Sequence, residues 1–300
     1  MDRPSFTTEG RTMREFTYQF QPENYDDPDA PILKITKSSF GSFNWCPKKY
    51  EFSYIDRLPQ DQTEAMVKGT IIHNAREDFF NAFDIRKAEN LSHGELVNYC
   101  MSLHPIDDYT EMYETMSIFE ANRFLESKAE SMMEDFIPVV NEVMLDAEIT
   151  IEADGNEKFP LSRDYVVHLQ GIIDRMFHED GSYIPMELKT GAWKDYKTTM
   201  MRKEMAFYQL LFENCPEETL RKHGLDRNIP ITHWGWYYPA SNYIHLEPKK
   251  KGSYTSVIKG MSQLLHSYEN GIFPTKYFAK TCASCSYYGI CDAANEESWL

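Results

Sequence analysis

The sequence predicts an α/β fold in which helices flank one sheet. A central segment, residues 139–188, has the alternating apolar pattern and the turn signals of strands. Segments on both sides of it repeat apolar residues at helical spacing. With 300 residues, of which 42% are hydrophobic, the chain is long enough to bury a substantial core as one large or two small domains.

Helices are predicted for the N-terminal half, after an arm. Residues 1–34 are polar and rich in Pro, Asp and Glu, and we expect them to form a loosely attached arm with one short edge strand. A helix-start signature follows at residues 36–39, and a further helix, which carries His73, follows Gly69. Residues 92–136 carry methionines and aromatic residues at helical spacing, which predicts a helical insertion packed into the core.

Three strands, joined by turns and paired in chain order, are predicted at the centre of the chain. They cover residues 139–151, 165–173 and 183–188, and glycine-containing turns at 154–156 and 180–181 separate them. The remaining predicted segments are a helix over 203–214, a strand over 232–238, a helix over 253–268, a loop-rich tail over 273–292 and a C-terminal tail over 293–300.

The charge balance restricts the classes of partner. The net charge of −16 argues against a protein that coats duplex nucleic acid by charge alone, although it leaves room for a local basic groove. No apolar run approaches the roughly 18 residues that a membrane span needs, and the N-terminus has no hydrophobic signal segment. We therefore expect a cytoplasmic protein with no membrane partner, whose six cysteines serve metal binding or burial rather than disulfides.

Two carboxylates and a lysine lie where the predicted hairpin would bring them together. Alternate side chains of a strand face the same way, so Glu187 and Lys189 project to one side while Leu188 points into the core. A hairpin closing at residues 180–181 brings Asp174 to the same end of the sheet. Converging carboxylates favour Mg²⁺ or Mn²⁺, and the lysine can position or deprotonate a water or neutralise a phosphoryl transition state. The alternative is ordinary surface ion pairs.

Three motifs accompany this arrangement. They are Gly171-x-x-Asp174-Arg175, then Glu187-Leu188-Lys189-Thr190-Gly191, with Gly69-x-x-x-His73 upstream. Together they resemble the PD-(D/E)XK nuclease superfamily, and within it the RecB-like branch. The resemblance implies a restriction-endonuclease-like core, with a mixed central sheet flanked by helices, and a single RecB-like nuclease domain over residues 35–292.

The resemblance also implies the roles of individual residues. His73, Asp174 and Glu187 would be metal ligands, together with the carbonyl oxygen of Leu188. Lys189 would be the catalytic lysine.

A further motif of RecB-like nucleases, Gln-x-x-x-Tyr, lies on the helix after the lysine strand. Tyr208 matches it and would belong to the catalytic site, whereas Glu204 stands where the family has glutamine. The carboxylate of Glu204 would accept a hydrogen bond, pair with a nearby cation or lie near the metals.

Four cysteines form a second candidate metal site. Cys282-x2-Cys285-x5-Cys291 lies in the tail and Cys46 lies far upstream, and four thiolates satisfy either Zn²⁺ or an iron–sulfur cluster. The alternative is four independent cysteines. The pattern resembles the iron–sulfur RecB-like nucleases, which include the CRISPR-associated RecB-type exonuclease, the nuclease subunit of AddAB and phage exonucleases. This resemblance implies a structural 4Fe-4S cluster, rather than zinc, that joins the N-terminal segment to the C-terminal tail.

Cationic and aromatic residues are close to these motifs in the sequence. They are expected to line a narrow groove for single-stranded DNA, in which bases stack beside backbone charge. The alternative is that the aromatics are core and the lysines are solvated surface. The residues are Lys48, Lys49, Arg76, Arg175, Lys194 and Lys197, with Phe43, Trp45, Tyr50, Trp193 and Tyr196 among them.

The predicted function is therefore that of a metal-dependent exonuclease. It would hydrolyse phosphodiester bonds of single-stranded DNA or DNA ends, in recombination and repair, in phage DNA metabolism or in CRISPR adaptation, with partner proteins from one of those systems. The alternative is a non-catalytic module that binds DNA ends or a protein and is stapled by a structural metal bound to the cysteines, such as zinc.

Overall fold

The structure, a computed structural model, describes residues 14–292 and has an α/β fold with a seven-stranded mixed sheet flanked by helices. This confirms the predicted fold class. The strands are β1 Phe16–Thr17, β2 Ile32–Thr36, β3 Val140–Ile151, β4 Tyr165–Glu179, β5 Ser182–Leu188, β6 His233–Tyr238 and β7 Tyr243–Pro248. The helices are α1 Lys37–Trp45, α2 Pro47–Tyr50, α3 Glu64–Ala82, α4 Ile85–Ala88, α5 His93–Ser102, α6 Thr110–Ala129, α7 Thr198–Asn214, α8 Glu217–Lys222, α9 Lys251–Asn270 and α10 Ala279–Cys282.

The strand order is β1-β2-β4-β5-β6-β7, and β3 pairs with β4 outside this path. The chain divides into two compact units, and β3 and β4 contribute residues to both. Within the described residues, the first unit comprises 14–60, 148–170 and 258–292, and the second comprises 61–147 and 171–257.

The first unit contains the parallel part of the sheet nearest the N-terminus. Strand β2 pairs in parallel with β1 and with the start of β4. Helix α1 follows β2 directly, because Thr36 and Ser39 form a reciprocal capping box that satisfies the first free N–H groups of the helix. A Cβ atom at Gly260 would lie 2.8 Å from the Phe40 ring, so the close approach of α9 to α1 requires glycine there.

The described part of the N-terminal arm is packed, not loosely attached. Residues Phe16–Thr17 pair with β2, and Phe20 is only 4% exposed. The Phe20 ring makes edge contacts with the rings of Tyr165 and Tyr268, which supplies the apolar burial that holds the segment. The rest of the predicted arm, residues 1–13, and the predicted tail, 293–300, lie outside the described residues.

The second unit contains the hairpin of β4 and β5. Its turn is Asp180–Gly181, both with positive φ (49° and 71°), as a tight hairpin turn requires. Strand β5 then pairs in parallel with β6, and β6 pairs with β7 in an antiparallel register. Helix α7 packs closely on β4, because a Cβ atom at Gly171 would lie 2.8 Å from Leu211.

Two local predictions differ from the structure. Helix α3 begins at Glu64, after a Thr63 cap, so Gly69 lies inside the helix and His73 lies at its middle rather than at its head. Strands β2 and β7 were not predicted from the sequence. Within the described part of the chain, no helix is both long and apolar enough to cross a membrane.

Candidate metal and catalytic site

The hairpin in the second unit places two predicted site residues next to each other. Asp174 and Glu187 are the chain neighbours of the register pair Arg175 and Met186 on the side away from the turn, and the two residues are 4% and 2% exposed. The backbone N–H of Leu188 donates a 2.8 Å hydrogen bond to Oδ2 of Asp174. The hairpin backbone thus fixes Asp174, because the Leu188 amide positions its carboxylate.

A histidine and a third carboxylate complete a compact group of ligand atoms. His73 Nδ1 lies 3.3 Å from Oε1 of Glu142 and 3.8 Å from Oδ2 of Asp174. One ligand atom from each residue lies within 4.8 Å of the other two, which is a spacing that one cation can bridge. The donor set of one imidazole nitrogen and two carboxylate oxygens suits a divalent metal.

Glu142 was not predicted from the sequence. It lies in β3 with a φ of +52°, a conformation that is uncommon for residues other than glycine and that is often found at functional sites. Strand β3 also carries Asp146 and Glu148. No sequence signal separates Glu142 from these two, because its position depends on a backbone conformation and on contact with a distant helix.

The carboxylates of this group raise the pKa of His73. Burial lowers the pKa of His73, but a hydrogen bond with Glu142 and the charges of Asp174, Glu142 and Glu187 outweigh it, and the pKa is raised overall. The carboxylates thus create a negative potential that draws a cation to this point.

Glu187 lies beside the group and is held by two side chains. The Tyr208 hydroxyl donates to Oε2 of Glu187 at 2.8 Å, and Lys189 Nζ donates to Oε1 at 2.9 Å. Burial raises the pKa of Tyr208 well above its usual range, so its hydroxyl remains a neutral donor. Both oxygens of Glu187 therefore have fixed orientations.

Lys189 bridges two carboxylates. Besides Glu187, its Nζ contacts Oε2 of Glu204 at 2.7 Å. Burial lowers the pKa of Lys189, but the charges of Glu187 and Glu204 outweigh this effect and raise the pKa above its ordinary value. Lys189 is therefore a stable cation in this arrangement, and Glu204 pairs with it where a glutamine would offer only a neutral amide.

The four predicted cluster cysteines line one cavity in the first unit. Cys46 is buried and Cys282, Cys285 and Cys291 are half-buried, and none forms a disulfide. The amide of Cys285 donates to the Cys282 carbonyl at 2.9 Å, which makes the tight turn that the Cys-x2-Cys spacing predicts. No three of these sulfurs lie within 4.8 Å of one another in the described chain.

Two of the cations that were expected to line a DNA groove are buried. Arg76 is 0% exposed and pairs with Glu120, and Arg175 is 2% exposed. Neither side chain can contact a DNA backbone in this arrangement. By contrast, Lys194, Tyr196 and Lys197 are exposed, so the segment after Lys189 retains the cationic and aromatic character that was expected.

A family model agrees with these motifs. A family model for the PD-(D/E)XK nuclease superfamily matches residues 34–292. Among solved structures, a chain described as "Crystal structure of SSO0001" is similar over 76% of this chain and 98% of that chain, with 15% sequence identity and a TM-score of 0.31. No curated protein matches the sequence significantly. Because the family model matches most of its length, the chain belongs to the PD-(D/E)XK nuclease superfamily.

Proposed function

We propose that the protein is a metal-dependent exonuclease that hydrolyses single-stranded DNA or DNA ends. Membership of the superfamily already implies a metal-dependent nuclease that cleaves phosphodiester bonds in DNA. The observation that carries the proposal is the convergence of His73, Glu142 and Asp174 beside the Glu187 and Lys189 pair.

The donor set fits Mg²⁺ or Mn²⁺. Carboxylate oxygens from Glu142 and Asp174 are hard ligands, and the imidazole of His73 is accepted by Mn²⁺ and related ions. Glu187, whose carboxylate is held by Tyr208, lies one residue beyond the Arg175–Met186 register pair, and we propose it as a further ligand of the same metal. A divalent metal bound there supplies Lewis-acid stabilisation of the phosphoryl group and a water activated for attack.

Lys189 contributes positive charge to the reaction centre. A cation held between Glu187 and Glu204 is suited to neutralise the charge that develops on the phosphoryl oxygens. Its raised pKa favours this role over that of a general base. Tyr208 acts by orienting Glu187, as a positioning residue.

The preference for single strands or ends rests on charge and exposure. A net charge of −16 disfavours a broad duplex-binding face. The exposed segment after Lys189 offers Lys194 and Lys197 for phosphates and the 79% exposed Tyr196 for base stacking. A single strand that threads along this segment would reach Lys189 and the carboxylates. We propose that such activity serves DNA recombination and repair, phage DNA metabolism or CRISPR adaptation.

A 4Fe-4S cluster is proposed for the cysteine cavity. A tetrahedral zinc site with Zn–S bonds of about 2.3 Å needs its sulfurs about 3.8 Å apart. The sulfurs of Cys46, Cys282, Cys285 and Cys291 surround one cavity but do not approach this closely in any group of three. The preference for a cluster over a single zinc ion rests on the resemblance of this cysteine spacing to that of the iron–sulfur RecB-like nucleases. Visible absorbance near 400 nm with stoichiometric iron tests the proposal, and a colourless protein with stoichiometric zinc contradicts it.

The nuclease proposal is tested with end-labelled single-stranded and duplex DNA in the presence of Mg²⁺ or Mn²⁺. We expect the wild-type protein to release mononucleotides or short products from ends, and Lys189→Ala to lose this activity. Lys222→Ala removes an exposed lysine of α8 and serves as the matched control. Intact substrate with wild-type protein, together with retained DNA binding, would support the non-catalytic module instead.

A further inference from the structure

An aromatic surface lies on the same face of the sheet as Glu187 and Lys189, two strands away from them. Glu187 of β5 is paired with Trp236 of β6, and Trp236 is paired with His245 of β7. Paired residues of neighbouring strands project to the same face, and so do residues two positions apart along one strand. His245 and Tyr243 therefore share the face of Glu187. Because adjacent strands are about 4.8 Å apart, β7 lies about 10 Å from β5.

Three rings form this surface, and they hold one another in place. The indole of Trp193, from the segment after β5, stacks on the His245 ring with the ring centroids 4.5 Å apart. It also makes an edge contact with the Tyr243 ring at 5.3 Å. The Tyr243 hydroxyl and Nδ1 of His245 share a 3.2 Å hydrogen bond, and the Trp193 indole N–H donates to Oδ1 of Asp195 at 2.7 Å. We call Trp193, Tyr243 and His245 the aromatic platform.

Tyr238 connects the aromatic platform to the proposed nuclease site. It is paired with Tyr243 at the end of the β6–β7 hairpin, and its ring makes an edge contact with that of Trp193 at 5.3 Å. Burial raises the pKa of Tyr238 to about 12, and the nearby charge of Lys189 opposes this rise. The Lys189 amide donates to the carbonyl of Tyr237, the residue before Tyr238. One ring therefore separates the platform from the lysine.

The aromatic platform is accessible to a ligand. Strand β7 is the last strand on its side of the sheet in the described chain, and Tyr243 is 39% exposed. The rings that contact Tyr243 among the described residues are those of Trp193 and His245. Both rings support Tyr243 from within the platform, so the exposed part of its ring is open to solvent.

The charge beside the aromatic platform is positive, although the chain has a net charge of −16. Lys194 and Lys197 are exposed in the segment that carries Trp193, and neither forms an ion pair with a described residue. Asp195, between them, accepts from the Trp193 indole. An aromatic surface beside two unpaired cations complements a ligand that carries both an aromatic ring and an anion. A nucleotide combines a base with a phosphate in this way.

We propose that the aromatic platform is a nucleobase subsite, in which the Tyr243 ring stacks on one base of a single strand whose cleaved phosphodiester lies at Lys189. This inference rests on the proposed nuclease function and deepens it. Every base has a face that can stack, so the subsite accepts any sequence. A base within a duplex is already stacked and paired, and the subsite therefore selects an unpaired base.

Two labelled single strands of equal length test the subsite, one of them thymidine-only and the other abasic with the same sugar–phosphate backbone. Their binding to the full-length protein is measured by fluorescence anisotropy in EDTA at low salt, where a metal-dependent nuclease does not cleave them. We expect the abasic strand to bind at least about fivefold more weakly, which is the size of one base–aromatic stack.

Variants locate the stacked base. Tyr243→Ala should weaken binding of the thymidine strand at least about fivefold and leave binding of the abasic strand unchanged, because only a base can use the lost ring. Tyr243→Phe keeps the ring face and should retain most of the affinity. Tyr277→Ala is the matched control, since Tyr277 is also 39% exposed but lies in the first unit.

Three outcomes overturn the proposal. Absence of binding to the thymidine strand, or equal binding of both strands by the wild-type protein, does so even if Tyr243→Ala fails to fold. An equal loss of affinity for both strands in Tyr243→Ala does so as well. So does self-association in sedimentation that Tyr243→Ala abolishes, because the platform would then bind a second copy of the chain.

Cleavage by the wild-type protein with Mg²⁺ or Mn²⁺ is measured separately, so that the two proposals can fail independently. Base-dependent binding without cleavage supports the subsite and contradicts the nuclease proposal. Cleavage without base-dependent binding contradicts the subsite alone.

Discussion

The carboxylate site and the cysteine cavity differ in how they are held. Each carboxylate in the hairpin has a fixed partner: Asp174 accepts from the Leu188 amide, and Glu187 accepts from Tyr208 and Lys189. The sulfurs of the four cysteines line a common cavity, but no three of them come within 4.8 Å of one another in the described chain. The fold fixes the carboxylates in place through hydrogen bonds, whereas it brings the four cysteines only to the lining of one cavity.

The difference follows from the chemistry of the ligands. Buried carboxylates are costly unless they are hydrogen-bonded, so a fold that buries them must supply partners before any metal binds. A thiol behaves as a small apolar group and tolerates burial without partners. The free energy released when thiols bind a metal centre can therefore contribute to the free energy of folding. Metal loss should then affect catalysis at one site and stability at the other.

The largest expected effect is on stability, at the cysteines. Cys285→Ala should lower the free energy of unfolding by at least about 5 kcal/mol, because a structural metal centre contributes on the order of 10 kcal/mol. Chemical denaturation followed by circular dichroism measures this. Removing Mg²⁺ or Mn²⁺ from the wild-type protein with EDTA should change the midpoint of chemical denaturation little.

Cys100→Ala is the matched control for this prediction. Cys100 is fully buried in the second unit, outside the quartet, and burial raises the pKa of its thiol to about 12. Its loss should cost about 1 kcal/mol, as for one buried group of its size. If both variants lose the same small amount, the cysteine cavity holds no cluster that contributes to folding.

The next effect is on catalysis, at Asp174. Asp174→Asn keeps an oxygen for the Leu188 amide but removes the charge that holds a metal. We expect the cleavage rate to fall more than about 100-fold, since even loss of an outer-shell partner costs 10-fold to 100-fold. The thermal midpoint should stay within a few degrees of wild type. Asp61→Asn, at an exposed position, is the control, and equal activity in both variants would exclude Asp174 from the reaction.

The β4–β5 hairpin was predictable because its information is local. Strand alternation and one turn place Asp174, Glu187 and Lys189 near each other, and the structure has that hairpin. The central strands and the long helices were predictable for the same reason, since each repeats its apolar period over many residues.

The residues that sequence reasoning missed depend on distant contacts. Glu142 has a positive φ in β3 and contacts His73 of α3, which is 69 residues away in the sequence. Arg76 and Arg175 looked like surface cations until Glu120, in the helical insertion, provided a buried counter-charge near both. A pattern along the chain does not encode such pairings, because a charged residue has the same letter whether it is solvated or buried.

Glu142 offers a direct test of the assembled site. Glu142→Gln should raise the Mg²⁺ or Mn²⁺ concentration needed for half-maximal cleavage by about 10-fold to 100-fold, with a smaller change at saturating metal, because one ligand oxygen loses its charge. Glu148→Gln, an exposed acid of the same strand, is the control. If Glu142→Gln needs the same metal concentration as the wild-type protein, Glu142 is not a ligand, and only His73 and Asp174 of the three remain candidate ligands.

Tyr208 should have a smaller effect, since it acts through Glu187. Tyr208→Phe removes the 2.8 Å hydrogen bond and preserves the ring. We expect about a tenfold lower rate, because a hydrogen bond to a charged group contributes about 1.5 kcal/mol. A rise in the metal requirement together with the lower rate would identify misplacement of Glu187, whereas a stability change alone would indicate packing.

The smallest expected effect is at Glu204, where the sequence departs from the glutamine of the family motif. Glu204→Gln removes one of the two charges paired with Lys189 but leaves Glu187 in place. Both side chains of the Glu204 pair are about a quarter exposed, and partly solvated ion pairs contribute at most about 1 kcal/mol, so we expect less than a fivefold change in single-turnover rate. Glu204→Ala, which leaves Lys189 without this acceptor, should cost more than Glu204→Gln. If Glu204→Gln cleaves DNA as slowly as Asp174→Asn, the carboxylate of Glu204 acts in the reaction centre as a metal ligand and does more than pair with Lys189.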